Sequence, residues 1–345
     1  MINVSEVTPP LALRLPEAID LLTSPFVYEQ FSSLTGAALL VVDLRVAAHL
    51  ADVERVTTAR ARLGELPCPT LAIVGPDLPR ANADWSDAFD LVLRDESELD
   101  VLANTIARNP IASLAMVQLL RHSEALSIHD GLIAESLVYS TLQSGPEFAS
   151  WLQGRKAPRP AAPNDEPAVA LLRDGRRLNV TLNRPDRRNA FSAEMRDGFV
   201  EAMHVVELDP TIEEVLLRGS GPSFSSGGDL AEFGTLSDPA TAHVIRSTRN
   251  PARTLSRVAL RVRSQVHGSC VGAGIELPAF TSHICATRDA SFWLPEVAMG
   301  LVPGAGGTVS LPRRIGRHKT NYLALMGRPI DAETALAWGL VDELI

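Results

Sequence analysis

The sequence has 345 residues, of which 46% are hydrophobic and 21% are charged, and this composition is typical of a folded chain of one or two domains. The net charge of −9 offers no electrostatic footprint for nucleic acid or for a membrane surface. No apolar stretch of about 18 residues could span a bilayer, and the N-terminus lacks a secretory signal pattern. We therefore expect a soluble, cytoplasmic protein without nucleic-acid or membrane partners.

The first half of the sequence predicts a small α/β unit with a helical layer. Three short apolar runs, which are typical of buried strands, lie at residues 39–44, 70–74 and 88–93. Apolar residues at three- and four-residue spacing predict helices at residues 97–107, 112–122 and 127–142. The pattern leaves open whether residues 1–60 form an ordered layer or an arm.

A proline-rich segment, residues 153–167, has no apolar periodicity and predicts a linker. After it, strands alternate with helices, which favours an α/β architecture with crossover connections. The predicted strands lie at residues 168–172, 177–182, 214–218, 264–267 and 283–287. The predicted helices lie at residues 192–208, 240–263, 317–325 and 332–338. We therefore expect two halves, residues 1–152 and residues 168–345.

Two carboxylates in the second half are the first candidates for chemistry. Glu276 falls in the first turn of a helix opened by small residues, and Glu296 follows a strand that can bring the chain back alongside. Such a helix start exposes backbone N–H groups that can stabilise an oxyanion, and the amide of Gly228, in a second glycine turn, is available to meet that of Ala273. Two neighbouring carboxylates could hold a water and move protons. Taken alone, both features are more typical of helix-dipole compensation and tight packing.

Metal and disulfide sites are not expected. The three cysteines, Cys68, Cys270 and Cys285, are far apart and form no CxxC pair, and the histidines show no ligand spacing. The glycine run at 303–308 lacks the Gly-Lys-Ser/Thr of a phosphate loop and predicts a turn with a helix cap.

Five segments in order change the balance between these interpretations. They are NRPDRRNAF (183–191), FSSGGDL (224–230), HGSCVGAGIEL (267–277), FWLPE (292–296) and GLVPGAGGT (300–308). Together they resemble the signature blocks of the crotonase, or enoyl-CoA hydratase/isomerase, superfamily over residues 168–345. The resemblance implies a crotonase-like spiral of ββα repeats, an α/β fold, here preceded by the smaller α/β half.

The resemblance also implies roles for the candidate residues. The amides of Gly228 and Ala273 would form the oxyanion hole for an acyl-CoA thioester. Glu296 would exchange the proton at C2, and Glu276 would orient the water that adds at C3. These roles imply an enoyl-CoA hydratase or dehydratase, a hydro-lyase that needs no cofactor because coenzyme A is part of its substrate.

Coenzyme A contacts are implied for the RPxxxNA block. Its candidates here are Arg184, Arg187, Arg188 and the backbone around Ala190, and Arg184 is equally typical of a surface residue at a strand end.

Some positions depart from the family pattern. Trp293 and Leu294 stand where small and polar residues are common, so we expect them to narrow the acyl pocket. Pro278 removes a backbone N–H two residues after Glu276, and we expect it to disturb the orientation of the Glu276 side chain. Ala273 replaces a common glycine, which matters only if the turn needs a positive φ.

The first half resembles a rearranged part of the same family. Residues 99–152 look like the oligomerisation-type helical segment that usually follows the core, and the strands near 70–74 and 88–93 look like eroded copies of core strands. We predict a degenerate crotonase-like half whose helices cover the core of their own chain or of a neighbour. The resemblance implies a homo-oligomer, a trimer or hexamer, while an isologous dimer and an unrelated helical dimerisation domain stay open.

Two further functions also stay open. One is different enolate chemistry on an acyl-CoA, by an isomerase, decarboxylase or hydrolase. The other is a non-catalytic assembly partner of an active crotonase.

Overall fold

The structure is a computed structural model that describes residues 11–48, 50, 52–156, 165–235 and 238–345. Most of the predicted linker, residues 157–164, lies outside these ranges, as does the start of the predicted N-terminal layer or arm. Within the described ranges, no helix combines the length and apolarity needed to cross a membrane.

The first half forms a four-stranded parallel sheet in the order β1-β2-β3-β4, surrounded by helices. Its strands are Leu13–Arg14 (β1), Leu40–Asp43 (β2), Thr70–Ile73 (β3) and Leu91–Leu93 (β4). Its helices are Leu15–Leu22 (α1), Val27–Gln30 (α2), Val53–Glu65 (α3), Arg80–Ser86 (α4), Leu99–Arg108 (α5), Pro110–Ser123 (α6), Ile128–Gln143 (α7) and Pro146–Gly154 (α8). The central strands read as unbroken apolar runs because helices cover both faces of the sheet. Alternate residues such as Val41 and Val42 enter different hydrophobic clusters.

The second half is built from two sheets. Its strands are Val169–Asp174 (β5), Arg177–Leu182 (β6), Glu214–Gly219 (β7), Val262–Val266 (β8), Ser269–Val271 (β9), His283–Ala286 (β10), Ser291–Trp293 (β11), Ile330–Asp331 (β12) and Glu343–Leu344 (β13). Its helices are Ala193–Leu208 (α9), Pro239–Thr248 (α10), Pro251–Val258 (α11), Ala273–Glu276 (α12), Gly307–Ile315 (α13), Arg317–Met326 (α14) and Ala332–Trp338 (α15).

The two sheets show the predicted spiral. One sheet has the order β13-β10-β8-β7-β6-β5 and the other β12-β11-β9. The chain enters the first sheet in β8, crosses to the second in β9 and turns into α12, and then β10, β11 and the following helices repeat this path. The parallel pairs β8–β10 and β9–β11 put the two repeats in register. This succession of strand, strand and helix confirms the expected ββα spiral.

The single helix predicted for residues 240–263 is wrong. The structure has two helices, α10 and α11, and β8 already begins at Val262. Pro251 cannot donate a backbone hydrogen bond and forces the preceding residue out of helical geometry. The Asn250 side chain instead caps α11 by accepting from the Arg253 amide at 2.8 Å, so the break opens a new helix.

The helical layer of the first half packs on the core of its own chain. Helix α7 contacts α10, α11 and α13, and α14 contacts α5, α6 and β4. Asn321 Nδ2 donates to the Asp90 carbonyl at 3.0 Å, and Arg317 Nη1 donates to the Phe89 carbonyl at 2.9 Å. One hydrophobic cluster contains residues from both halves. This packing places α7 beside the glycine run that precedes α13, while the proposed origin of the first half as a degenerate crotonase stays a prediction.

Candidate active site

A cavity of about 200 Å³ lies where α7, α10 and the spiral core meet. It is lined by Tyr139, Gln143, Phe191, Gly228, Asp229, Glu232, Phe233, Arg246, Ala273, Glu276, Glu296, Gly304 and Ala305. The structure therefore brings both predicted carboxylates and both predicted amide donors to one space, although they come from three separate segments.

The amides of Gly228 and Ala273 are held close by pairing between their turns. The Val271 amide donates to the Ser225 carbonyl at 3.0 Å, and a parallel bridge links Ser225 to Cys270. In the described part of the chain, neither the Gly228 nor the Ala273 N–H donates to a protein acceptor. Two unpaired amides on the wall of one cavity are suited to a carbonyl oxygen that gains negative charge.

The glycine that this turn requires is Gly272 and not its neighbour. Gly272 has φ of 48°, and a Cβ at this position would overlap Glu296 Oε1. Ala273 is not among the non-glycine residues with positive φ in the described ranges. The alanine at position 273 therefore causes no backbone strain.

Glu276 is anchored by the start of α13. Its Oε2 accepts hydrogen bonds from the amides of Ala305, at 2.7 Å, and Gly307, at 2.9 Å. Its backbone carbonyl accepts from Ser310 Oγ at 2.7 Å. Pro278 ends α12 and begins a 3₁₀ turn, but the expected disturbance of Glu276 does not occur because these two amides fix its carboxylate at the cavity wall.

Glu296 faces the same space without such support. Its Oε2 is buried and has no hydrogen-bond partner among the described residues. Burial raises the pKa of Glu296 to about 8. Burial, followed by the negative charges of Glu296 and Glu135, raises the pKa of Glu276 well above its usual value, although its two amide partners oppose the shift. The Glu276–Glu296 pair therefore retains a proton near neutral pH, as acid–base catalysis requires.

A third carboxylate, Glu135, comes from the first half of the chain, and the sequence analysis missed it. Glu135 is 2% exposed and accepts from the Gly306 amide at 2.7 Å, the Thr308 amide at 2.9 Å and Thr308 Oγ1 at 2.7 Å. The four successive amides of residues 305–308 thus alternate between Glu276 and Glu135. Burial raises the pKa of Glu135 to about 7, against the effect of these hydrogen bonds.

Helix α7 also supplies two further wall residues. Tyr139 and Gln143 follow Glu135 at intervals of four, so all three lie on one face of the helix. The Tyr139 ring packs against Gly304, where a Cβ would lie 2.5 Å from the ring. The four-residue spacing of Glu135, Tyr139 and Gln143 could have indicated in the sequence that α7 lines the site. The same spacing is equally typical of a helix face that only packs against its neighbours.

The predicted acyl-pocket residues need correction. Neither Trp293 nor Leu294 lines the cavity. Leu294 is fully buried in the hydrophobic core together with Phe292. Side chains alternate between the two faces of a strand, so this segment directs every second residue into the core. The wall expected from Trp293 and Leu294 is instead supplied by α7 and α10.

Comparison with known proteins identifies the family. A family model described as enoyl-CoA hydratase/isomerase matches residues 177–345. The 2,3-dehydroadipyl-CoA hydratase of Escherichia coli (strain K12) is 32% identical over 177 residues, which cover 51% of this chain and 68% of that protein. The chain belongs to the enoyl-CoA hydratase/isomerase family. This confirms the resemblance drawn from the five motifs.

Other relatives show the extent of the match. The 1,2-epoxyphenylacetyl-CoA isomerase of the same strain is 36% identical over 172 residues, which cover 49% of this chain and 66% of that protein. The solved structure of enoyl-CoA hydratase from Thermoplasma volcanium GSS1 is 32% identical, with a TM-score of 0.48, and the match covers 52% of this chain and 72% of that one. The chain thus spans about two thirds of the length of these curated relatives, whose names refer to different reactions.

The RPxxxNA block, which was predicted to contact coenzyme A, contains residues in two different environments. Arg184 is 8% exposed, and its guanidinium donates to Glu194 Oε1 at 2.6 Å; this burial and this ion pair favour a structural role over the predicted coenzyme A contact. Arg187 Nη2 donates to both carboxylate oxygens of Asp229, each at 3.0 Å, and Asp229 lines the cavity. Arg188 is exposed and Ala190 is half-buried beside Phe191, so these three positions stay predicted contacts.

A group of potential metal ligands lies outside the cavity described above. One ligand atom from each of His283, Cys285 and Glu343 falls within 4.8 Å of the others. Arg263 faces His283 in the register of β8 and β10, and its positive charge opposes a bound cation. We assign no site to this group, and the expectation of a metal-free protein stays a prediction.

Proposed function

We propose that the chain catalyses the reversible addition of water to a 2-enoyl-CoA, or the reverse dehydration of a 3-hydroxyacyl-CoA. The observation that supports this proposal is that one cavity is lined by two carboxylates with raised pKa values and by two amides that donate to no acceptor in the described ranges. Each of the three groups that the reaction needs, an oxyanion site, a base and an acid, has a candidate there.

In the proposed reaction, the thioester oxygen accepts from the amides of Gly228 and Ala273. Glu276 orients a water molecule and takes its proton as the water oxygen bonds to C3, and the electron pair of the double bond moves onto the thioester as an enolate. Glu296 then gives its proton to C2, and the proton on Glu276 passes to Glu296 for the next cycle. The two amides stabilise the enolate charge because they are already oriented before the reaction begins.

We also propose that this chemistry requires no separate cofactor, because the chain's own carboxylates and amides supply each step and coenzyme A is part of the substrate. Arg187, Arg188 and the backbone at Ala190 are the proposed coenzyme A contacts. A homo-oligomer, a trimer or hexamer, remains part of the proposal. Residues from the first half line the cavity within one chain, so this wall does not depend on a neighbouring subunit.

The test is hydration of a panel of short, long and aromatic 2-enoyl-CoA thioesters, followed by loss of the conjugated thioester absorbance. We expect wild type to hydrate at least one member, and Glu276→Gln and Glu296→Gln each to lose about two or more orders of magnitude in kcat. The exposed Glu124 provides a matched control, because Glu124→Gln removes a carboxylate from the same chain without touching the cavity.

Two other outcomes would contradict the proposal in different ways. Wild type that binds enoyl-CoA without hydrating it would favour other enolate chemistry, such as that of an isomerase, decarboxylase or hydrolase. Wild type that binds no acyl-CoA, but forms a stable complex with an active family member, would favour an assembly partner.

A further inference from the structure

Arg246, on α10, brings a half-buried positive charge to the cavity wall. Its guanidinium carbon lies 4.8 Å from the centre of the Tyr139 ring. Its Nε donates to Ser136 Oγ at 3.2 Å, its Nη1 to Gln143 Oε1 at 3.3 Å, and its Nη2 to Ser140 Oγ. All of these partners are neutral, and all belong to α7.

Arg246 has no carboxylate partner among the described residues, in contrast to three other partly buried arginines. Arg121 pairs with Asp90, Arg184 with Glu194, and Arg187 with Asp229. No such ion pair is found for Arg246 within the described ranges. The buried carboxylate whose charge acts on it most is Glu135, but both oxygens of Glu135 are already occupied by Gly306 and Thr308.

Burying the Arg246 guanidinium costs free energy of hydration, and a bound anion could offset that cost. Burial lowers the pKa of Arg246, because a charged group loses favourable hydration inside a protein. Among the described residues, the Nη1 atom of Arg246 makes one hydrogen bond although it carries two N–H groups, so part of the guanidinium's donor capacity is unused there. An anion in the cavity would gain a charge-assisted hydrogen bond and neutralise this charge.

The position of Arg246 fits the far end of an acyl group. The predicted coenzyme A contacts lie in the connection between β6 and α9, and Arg187 in that connection reaches the cavity through Asp229. Arg246 and Gln143 belong to the helical wall formed by α7 and α10. A thioester held at Gly228 and Ala273 would therefore extend its acyl chain past the glutamates toward this wall.

We infer that the preferred acyl group ends in a carboxylate, and that Arg246 binds it with help from Gln143 and the Tyr139 hydroxyl. The Tyr139 hydroxyl makes no hydrogen bond with any described residue, so it is available as a second donor. This inference rests on the proposed function because it assumes that an acyl-CoA occupies the cavity. The substrate class is then a 2-enoyl-CoA derived from a dicarboxylic acid. The preceding reaction must either attach coenzyme A to one end of a 2-unsaturated dicarboxylic acid or remove one hydrogen from each of C2 and C3 of the saturated thioester, with a flavin-type acceptor taking up the two electrons.

The experiment compares equilibrium binding of two pairs of saturated thioesters by isothermal titration calorimetry. Butyryl-CoA is matched with succinyl-CoA, and hexanoyl-CoA with adipyl-CoA, so that in each pair a terminal methyl group is replaced by a carboxylate. We expect wild type to bind at least one carboxylate-bearing member tenfold or more tightly than its partner. Arg246→Gln should abolish this preference while the Kd of the methyl-ended member changes less than threefold, and Arg246→Lys should retain part of it.

The outcomes separate this inference from the proposed function. Equal binding within both pairs, or preference for the methyl-ended member, would overturn the inference and leave the hydration proposal standing. A uniform loss of affinity in Arg246→Gln would show that Arg246 only supports the fold. If Arg246→Gln fails to fold in a thermal scan, the wild-type preference decides alone. Absence of binding to all four thioesters would contradict the proposed function itself.

Discussion

Replacing Glu296 with glutamine should make the protein more stable at alkaline pH, although it removes a proposed catalytic group. Glu296 Oε2 is buried without a hydrogen-bond partner among the described residues, and burial raises the pKa of this carboxyl to about 8. In the unfolded chain the same group ionises near its usual pKa of 4.5. Between these two values the unfolded state releases a proton that the folded state keeps, so ionisation favours unfolding.

The magnitude follows from the same two pKa values. The stability associated with protonated Glu296 is fully present below pH 4.5 and is lost as the pH rises through about 8. The slope for one proton is about 1.4 kcal/mol per pH unit, so the whole loss is at most ~5 kcal/mol. Glutamine cannot ionise, and Glu296→Gln therefore avoids this loss.

The assay is urea unfolding of wild type and Glu296→Gln at intervals from pH 5 to pH 8, without ligand. The free energy of unfolding of the variant, relative to wild type, should rise steadily with pH and exceed wild type by ~2 kcal/mol or more at pH 8. Glu124→Gln, at an exposed position, should show no such trend. A constant difference between Glu296→Gln and wild type across this range would refute the claim that Glu296 is protonated in the folded cavity.

Three further substitutions test separate parts of the site. Glu135→Gln should lower the free energy of unfolding by about 1–3 kcal/mol, because one donor of residues 306–308 loses its acceptor. It should also lower kcat in the hydration assay. Effects no larger than those of Glu124→Gln would contradict the role of Glu135 in positioning the loop. Gly272→Ala should reduce kcat by about 100-fold or more, since it strains the turn and displaces the neighbouring carboxylate, whereas Gly64→Ala, with nothing within 4 Å of its added Cβ, should leave kcat unchanged. Arg184→Ala should lower the melting temperature but change the Kd for coenzyme A less than threefold, and a larger loss of affinity would restore Arg184 as a ligand contact.

The spiral core could be predicted from the sequence because its information is local. The motif HGSCVGAGIEL combines strand β9, a glycine turn and the start of α12 within eleven residues, and the positions of Ala273 and Glu276 follow from that order. Glu296 could be placed beside them because a short strand returns the chain to the same sheet. At position 278 the local sequence was misleading. Pro278 predicted a disturbed Glu276 side chain, whereas the amides of Ala305 and Gly307, in a later segment, hold that carboxylate in place.

The contribution of the first half could not be predicted because it depends on long-range packing. Glu135 lies 171 residues before Gly306, and nothing near Glu135 in the sequence distinguishes a loop anchor from an ordinary helix residue. The error at residues 240–263 had a local cause, as Pro251 was available to mark the break. Trp293 and Leu294 were predicted to line the acyl pocket, but they do not line the cavity. The sequence does not show which elements cover the cavity.

The most direct test of the account is exchange of the C2 protons of a bound acyl-CoA with solvent deuterium, followed by NMR. This exchange requires only a base at C2 and stabilisation of the enolate, so it reports on the carboxylates and the two amides independently of water addition. At a pH above about 8, where Glu296 is ionised and can act as the base, we expect wild type to incorporate deuterium at C2 of a bound thioester, and Glu296→Gln to lose this exchange while its Kd stays within threefold of wild type. A wild-type protein that binds the thioester tightly and exchanges no C2 proton would contradict the central claim that this cavity forms an enolate.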